Sequence, residues 1–589
     1  MGEIEDRASE FVDAQASESL IKLYKLSQDA ATRQECLQLL KIICDEEPRA
    51  AAEMTQYGGT QVLIDDLKKH TRGVNILTNY LVDLLEVISK ICKHQQGLNE
   101  FISPQCMSSL VLCLQSEKPE NKIPAMNCII FLARTQENRA QLQNYDVFNI
   151  IMGNMIKGVE TKSWKVAYAA IGALAYFSFE RSYRVLLSNA NQMFNFYETL
   201  LTCIQGQATI TGVEIPPTTR YAASVILSKM LADKDLFGIQ EAIMKEGVLT
   251  HLAGGLKDQQ SSVRKECAAI IIQLQKFVDS KVDIFKPLVQ PLISSLGDDD
   301  NSLVVRSLEC LRMLSSNETL RNYIIMNGCC SILCTFLIQD PKELNVDVLK
   351  ETVTLLLVLQ ASQEAREITF ESNVILPILG FLSSEDQEVR GIWYEAVKEL
   401  CAYQSFRTQL ENADNSMLVV KRAIRQAEQT FLLQLIAVVR VLIQSPILLD
   451  KLIDPVTVPK LFDIYMSSLQ WADPSIEVYM LQSLRIIHSN ENGKVHVLKS
   501  EMILNYVCKS LLREQDIVVA NEAAQMMIDI LSEPQERLLM LKKVPVIKNI
   551  MAYSKFNNNI AMSRSQEMAR IVKNIPFLYN EYNQAVAAK

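Results

Sequence analysis

Apolar and polar residues recur in one arrangement along the whole chain. An apolar run that ends in a small or polar residue is followed by a short polar stretch and then by a second apolar run. Two clear copies are IFLARTQENRAQL, residues 130–142, and AYFSFERSYRVLL, residues 175–187. The pattern predicts pairs of apolar helices joined by short polar connections.

Thirteen copies of this phrase can be aligned on the last large apolar residue of the first run. These anchors lie 40 to 54 residues apart, mostly within the ≈ 40–47 residues of helical solenoid repeats. They are Ile43, Ile91, Leu132, Phe177, Leu231, Leu274, Leu314, Leu359, Leu400, Leu442, Ile487, Leu531 and Val572. We therefore expect an all-α protein, a right-handed α-solenoid superhelix of about thirteen repeats.

The clearest copy begins at Glu246-Gly247-Val248-Leu249 and continues through Leu256, Asp258, Val263 and Ala268-Ala269. It resembles the armadillo repeat family, with HEAT repeats as the close relative, and the resemblance extends over essentially the whole chain. Gly58 and Gly328 occupy the place of Gly247, where a Cβ is expected to crowd a sharp turn. A further copy, which begins at Asn373, lacks this glycine.

No Gly/Ser-rich or Pro-rich linker interrupts the copies, so we expect one continuous armadillo-like domain over residues 1–589. It would comprise an N-terminal cap (1–20), the repeats (21–575) and a C-terminal tail (576–589). The longest spacing contains an inserted loop, residues 205–220, with Gly206, Gly212, Pro216 and Pro217. Two interpretations remain open: a surface loop whose proline starts the next helix, or a projecting arm that docks a partner.

Composition agrees with an all-helical, intracellular protein. Only 19 Gly and 17 Pro in 589 residues argue against an all-β chain, and a net charge of −9 does not favour nucleic acid as the main partner. The 14 cysteines stand singly in apolar runs, as buried thiols do, and MGEIED at the N-terminus is not a secretory signal. The apolar stretch 431–449 contains Gln and Arg, which predicts a buried helix rather than membrane insertion. We expect a cytoplasmic protein, with a cytoskeletal association and the nucleus left open.

Candidate chemistry is sparse. Cys92 and His94 lack a second pair at metal-ligand spacing, and Cys329, Cys330 and Cys334 are expected to be packed core thiols. Gly493-Lys494 lacks the other residues of a phosphate-binding loop. The sequence predicts no enzymatic activity, no metal site and no cofactor.

The resemblance implies that the third helix of each repeat lines a concave face. In the best-known family members, an Asn just before the anchor binds the backbone of an extended peptide, but no copy here has Asn at that place. A carrier of basic localisation peptides is therefore disfavoured. The candidate partner-binding residues come from this position and from an aromatic and arginine cluster over residues 164–184. They are Lys90, Phe131, Tyr176, Arg181, Arg184, Met230, Gln273 and Met313.

These observations predict a non-enzymatic scaffold or adaptor that binds partner proteins on its concave face. Three alternatives remain open: an armadillo-type regulator of a small GTPase, a myosin- or Hsp90-linked co-chaperone, and a structural component of a ciliary or cytoskeletal assembly. The sequence does not distinguish them, because such solenoids serve many functions.

Overall fold

The computed structural model is helical throughout the residues that it describes, with no strand among them. Those residues are 8–72, 78–193, 195–205, 214–236, 238–245, 247–339, 345–380, 382, 387–469, 474–513, 515–533, 546–553, 555–556 and 559–573. The contacts divide the chain into unit 1, Met1–Tyr323, and unit 2, Ile324–Lys589.

The first twenty-one described helices begin in unit 1, and the unit boundary falls inside the last of them, α21. They are α1 (Ala8–Asp13), α2 (Ala16–Leu26), α3 (Ala30–Glu46), α4 (Pro48–Gln56), α5 (Gly59–Arg72), α6 (Thr78–Lys93), α7 (Leu98–Phe101), α8 (Pro104–Gln115), α9 (Pro119–Leu132), α10 (Gln136–Leu142), α11 (Val147–Glu160), α12 (Trp164–Phe177), α13 (Arg181–Met193), α14 (Phe196–Ile204), α15 (Pro217–Ala232), α16 (Ile239–Lys245), α17 (Val248–Gly255), α18 (Ser261–Gln273), α19 (Val282–Ser294), α20 (Asn301–Leu314) and α21 (Glu318–Met326).

Unit 2 continues the same arrangement. Its described helices are α22 (Cys329–Ile338), α23 (Val346–Leu359), α24 (Gln363–Glu371), α25 (Ile375–Gly380), α26 (Gln387–Cys401), α27 (Gln404–Asn412), α28 (Ser416–Arg425), α29 (Leu432–Leu442), α30 (Pro446–Leu452), α31 (Thr457–Ser468), α32 (Pro474–Ser489), α33 (Glu491–Lys499), α34 (Glu501–Ser510), α35 (Ile517–Ser532), α36 (Val546–Tyr553) and α37 (Asn559–Lys573).

Each predicted anchor lies at or near the C-terminal end of a long helix, which we call a third helix. In unit 1 these third helices, α3, α6, α9, α12, α15, α18 and α20, pack side by side in chain order. In unit 2 the same holds for α23, α26, α29, α32, α35 and α37. The anchors whose burial is described are 0–4% exposed. The regular spacing of the anchors therefore reflects the stacking of successive repeats, because each third helix buries its anchor against its neighbours.

The turns into the middle helices use the left-handed backbone region. Gly58, Gly247 and Gly328 have φ of +74°, +72° and +82°. A Cβ at any of them would meet nothing within 4 Å, so the expected crowding is wrong, and the positive φ itself favours glycine. Asn373 adopts φ +53° in the copy without glycine, as asparagine does more readily than most residues.

Arginines in the short first helices reach back to the end of the preceding third helix. Their guanidinium groups donate to backbone carbonyls five or six residues earlier, where helical C=O groups lack partners. This contact is made by Arg139, Arg184, Arg366 and Arg407. Arg264, on the third helix α18, makes the same kind of contact to carbonyls that follow the middle helix α17. The polar stretch of the repeated phrase therefore supplies the side chains that cap the third helices.

All 14 cysteines are free and buried, which confirms the prediction of packed thiols, including Cys329, Cys330 and Cys334. The apolar stretch 431–449 is buried as expected, but it forms two helices, α29 and α30, with a break before Pro446. Within the described ranges, no single helix is long and apolar enough to cross a membrane, although the bent pair α21 and α22 passes by length and composition alone.

Candidate interaction groove

The third helices of unit 1 line a groove of about 1020 Å³. The lining runs from Lys41 on α3 to Ser262 on α18 and includes side chains from α3, α6, α9, α12, α15 and α18. These six helices are consecutive in the stacked row. The groove is thus formed by the repeats acting together rather than by any one of them.

Small residues of α12 form the middle of the groove. Ala169, Gly172 and Ala175 lie along this helix and line the groove. A Cβ at Gly172 would stand 3.3 Å from Cδ1 of Ile130, so even one added carbon would touch the neighbouring helix. The short side chains leave open space above the α12 backbone, where an entering side chain can be accommodated.

Aromatic rings stand on both sides of this open space. Phe131 lies on α9, Tyr176 and Phe179 lie at the end of α12, and Tyr221 lies on α15. Phe179 is 47% exposed and Tyr221 is 40% exposed. Exposed aromatic side chains are frequent centres of binding energy in protein interfaces, because they bury a large apolar area at little entropic cost.

Cations lie over two of these rings. The guanidinium carbon of Arg134 is 4.6 Å from the centroid of the Phe131 ring, and Nζ of Lys229 is 4.9 Å from that of Phe179. Arg134 also donates through Nη1 to the backbone carbonyl of Lys93 at 3.1 Å. These cation–π contacts hold the charged groups beside the rings while each charge stays unneutralised.

The α3 and α6 end of the groove is electrostatically paired. Lys90 and Lys93 both bind the carboxylate of Asp45, at 2.5 and 2.7 Å, and Lys41 binds Glu86 at 2.8 Å. Burial alone would raise the pKa of Asp45, but the hydrogen bonds from the two lysines outweigh it and leave the pKa below its usual value. Asp45 is therefore a carboxylate at neutral pH and keeps Lys90 in place.

Tyr168, also on α12, lines the groove, and its buried hydroxyl group has no hydrogen-bond partner among the described residues. The side chain is 4% exposed, and its ring stacks on that of Trp164 with centroids 6.2 Å apart. Burial raises the pKa of Tyr168 to about 12, so the hydroxyl stays protonated at neutral pH.

The groove contains only some of the sequence-predicted binding residues. Lys90, Phe131 and Tyr176 line it. Arg181 is outside the lining and forms an ion pair with Asp235 at 2.8 Å.

Other predicted residues are placed differently from the expectation. Arg184 is bound to Asp233 at 2.8 Å and to two backbone carbonyls. Its guanidinium group therefore already donates hydrogen bonds within the protein. Met230 and Met313 are 0% and 7% exposed and offer no surface to a partner in this conformation. Gln273 is half-buried and lies outside the groove lining.

Sequence reasoning missed several residues of the groove, Asn127, Arg134, Gly172 and Tyr221, and also Lys229 over the Phe179 ring beside it. It considered one position in each repeat, the residue before the anchor. A helix presents residues three and four apart on one face, so that Asn127, four residues before Phe131, lies on the same surface. The i−4 position thus accounts for Asn127 and for Gly172, four residues before Tyr176, but not for Arg134 or Tyr221.

Residues 206–213 of the predicted 205–220 loop lie outside the described residues. The prolines that follow behave as predicted, since Pro217 begins α15 and Pro216 precedes it. Ile215 is 1% exposed, and its carbonyl accepts from Nη1 of Arg220 at 2.7 Å. The C-terminal end of the segment is therefore packed structure.

The described residues contain no group of three or more His, Cys, Asp or Glu side chains that could hold a metal ion. No protein-family model matches the chain, and no curated protein matches it significantly in sequence.

Solved structures resemble the chain in fold. One, described as "A conserved phosphorylation switch controls the interaction between cadherin and beta-catenin in vitro and in vivo", has a TM-score of 0.56 at 12% identity and covers 94% of this chain and 98% of that chain. Another, described as a crystal structure of an engineered protein, has a TM-score of 0.54 at 16% identity and covers 73% of this chain and 99% of that one. The first of these structures supports an armadillo-like helical repeat fold.

Proposed function

We propose that this chain is a non-enzymatic scaffold or adaptor that holds a segment of a partner protein in the groove of unit 1. The observation that carries the proposal is the composition of the groove. Six consecutive third helices contribute to one surface, and exposed rings and small residues occupy its middle. The armadillo-like fold of the chain is consistent with such a role.

The length of the groove favours a polypeptide over a small molecule. Packed helices lie about 8–10 Å apart, so a row of six spans roughly 45 Å between its outer helices. Small-molecule sites are compact cavities that enclose most of their ligand. A segment of protein chain can instead contact several successive helices at once, as repeat surfaces allow.

The identity of the bound protein would distinguish the biological roles that the sequence left open. A small GTPase, an Hsp90 or myosin component and a cytoskeletal protein would each occupy the groove in a different process. The proposed cytoplasmic location accommodates all three. Identification of the bound protein is therefore the measurement that separates them.

Site-directed photo-cross-linking in native cells tests the proposal. Photoreactive p-benzoylphenylalanine replaces Ala169 in the groove or, as a matched control, Leu112 on α8, which is 44% exposed and outside the groove lining. Thermal denaturation of both purified variants verifies that they fold. We expect the Ala169 position to cross-link a discrete partner protein and the Leu112 position not to. Equal cross-linking from both positions, or none from Ala169 in a folded variant, would argue against the proposal.

A further inference from the structure

Two cations lack the carboxylate partners that similar residues of unit 1 possess: Arg134, which lines the groove, and Lys229, which lies over the Phe179 ring at its edge. Neither Arg134 nor Lys229 forms an ion pair with a carboxylate in the part of the chain that the structure describes. By contrast, Asp45 holds Lys90 and Lys93. Lys165 on α12 also lines the groove and forms no ion pair within the described residues. The middle of the groove therefore contains several cations without a carboxylate partner.

Two carboxylates of the groove lining, those of Glu46 and Glu214, form no ion pair with a described residue, and both lie away from Arg134 and Lys229. Glu46 is the last residue of α3, whereas Arg134 follows α9. The third helix α6 lies between these two helices. Glu214 precedes the start of α15, whereas Lys229 lies twelve residues after Pro217, which corresponds to about 18 Å of helix. The region between Arg134 and Lys229 therefore carries a local excess of positive charge.

This positive region borders the open space above α12. Ala169 and Gly172 leave room for a side chain, and Tyr176 and Phe179 provide apolar walls. Tyr168 on the same helix also lines the groove, while its hydroxyl group is buried. An apolar cavity with cations at its rim is complementary to an apolar group that carries an anion next to it.

We infer that the partner segment inserts a bulky apolar side chain over Gly172 and carries carboxylates next to it, one facing Arg134 and one facing Lys229. This inference rests on the proposed function and specifies the chemistry of its partner. The insertion buries the Phe131, Tyr176 and Phe179 rings, and the two carboxylates supply the missing counter-charges to the two cations. Displacement of water around the two cations strengthens that attraction.

Peptide selection on the full-length chain tests this chemistry. A display library of random 16-residue peptides is selected against the wild-type protein, and the enriched peptides are synthesised as the probes. Their dissociation constants are measured for wild type, for the double variant Arg134→Gln/Lys229→Gln, and for Gly172→Leu. Lys276→Gln is the control for removal of a cation over a ring away from the groove, since Lys276 lies over Phe277 at 5.1 Å and is already bound to Glu241 at 2.5 Å.

We expect enriched peptides with Asp or Glu next to Phe, Trp or Leu. Their affinity should fall roughly tenfold or more in the double variant and in Gly172→Leu. The affinity for wild type should also fall at high salt. The affinity for Lys276→Gln should equal that for wild type. Replacement of the peptide carboxylate by its amide should have little effect in the double variant, where its counter-charges are gone. Three outcomes would overturn the inference. They are enrichment of basic peptides, peptide affinities that are the same for wild type and the double variant, and a selection that yields no peptide whose binding depends on the groove. Cross-linking of a partner from Ala169 combined with any of these results would leave the proposed function intact.

Discussion

Arg184 joins two successive repeats by holding Asp233, forty-nine residues later, at 2.8 Å. The same guanidinium group donates to the carbonyls of Ser178 and Phe179 at 3.0 and 2.9 Å, at the end of α12. One side chain thus caps a third helix and binds the end of the next one. Comparable pairs connect neighbouring repeats elsewhere in unit 1: Arg139 with Glu180, Arg220 with Asp258, and Arg264 with Asp298.

Replacement of Arg184 by Ala should lower stability clearly. Its side chain is 16% exposed and that of Asp233 is 5% exposed, so the substitution leaves a mostly buried carboxylate and two carbonyls without donors. We expect a loss of about 2–4 kcal/mol, seen as a lower urea midpoint. Arg181→Ala is the matched control, because the Arg181–Asp235 pair has the same 2.8 Å distance but is 62% and 60% exposed. It should cost about 1 kcal/mol or less, and equal losses in both variants would contradict this account.

The same pair should make stability depend on pH in the acid range. Burial alone would raise the pKa of Asp233, but the hydrogen bond from Arg184 outweighs it and holds the pKa below the ordinary value. The stabilisation is therefore present above the unfolded-state pKa of about 3.9 and is lost as the pH falls through the lower folded-state value. Asp233→Asn should reduce stability at pH 7 and show a smaller further loss between about pH 4 and pH 2 than wild type does. Parallel pH profiles of urea midpoints for the two proteins would refute the assignment.

Two glycines of α11 should respond oppositely to alanine. A Cβ at Gly158 would lie 2.9 Å from the backbone nitrogen of Ala167, so Gly158→Ala must separate α11 from α12 and should cost about 1–3 kcal/mol. Gly153 has nothing within 4 Å of its Cβ position, and Gly153→Ala should be neutral or stabilising by up to about 1 kcal/mol. Thermal denaturation followed by circular dichroism measures both. A destabilised Gly153→Ala, or a neutral Gly158→Ala, would show that the packing of α11 differs from this description.

The thiols should be protected while the chain is folded. All 14 cysteines are buried, and burial raises the pKa of Cys106, Cys113 and Cys203 to about 12. Because the thiolate is the reactive form, native protein should react with an aromatic disulfide reagent at pH 8 much more slowly than a free thiol does. Unfolding in guanidinium should release all 14 thiols at once. Rapid reaction of any thiol in the native protein would show an exposed cysteine.

The sequence predicted the positions of the buried anchors but not which neighbouring residues are exposed in the groove. Different features of the fold determine these two properties. Anchors such as Phe177 and Leu314 are buried in every copy for which the structure describes the anchor side chain, because stacking requires an apolar residue there whatever the neighbours are. Exposure of the preceding residue depends instead on the helices around it. Met230 is buried because α15 packs against five helices, whereas Tyr176 borders the groove beside small residues.

Arg184 illustrates the same limit in another way. Its place in an aromatic and cationic cluster suggested a binding residue, but the carboxylate that occupies it lies forty-nine residues away. A partner at that distance cannot be read from local sequence. Gly172, in contrast, is visible in the sequence, and its importance follows only when Ile130 is found 3.3 Å from its Cβ position.

The most direct test of the central claim measures how tightly the cross-linked partner binds when the groove is filled. Ala169→Trp places a large ring over the small residues of α12, and Leu112→Trp adds the same ring outside the groove. The proposed function predicts that Ala169→Trp weakens partner binding by roughly tenfold or more while Leu112→Trp leaves the dissociation constant unchanged, with both variants retaining the wild-type melting temperature. Unchanged affinity in a folded Ala169→Trp variant would show that the partner binds elsewhere and that the groove of unit 1 is not the docking surface.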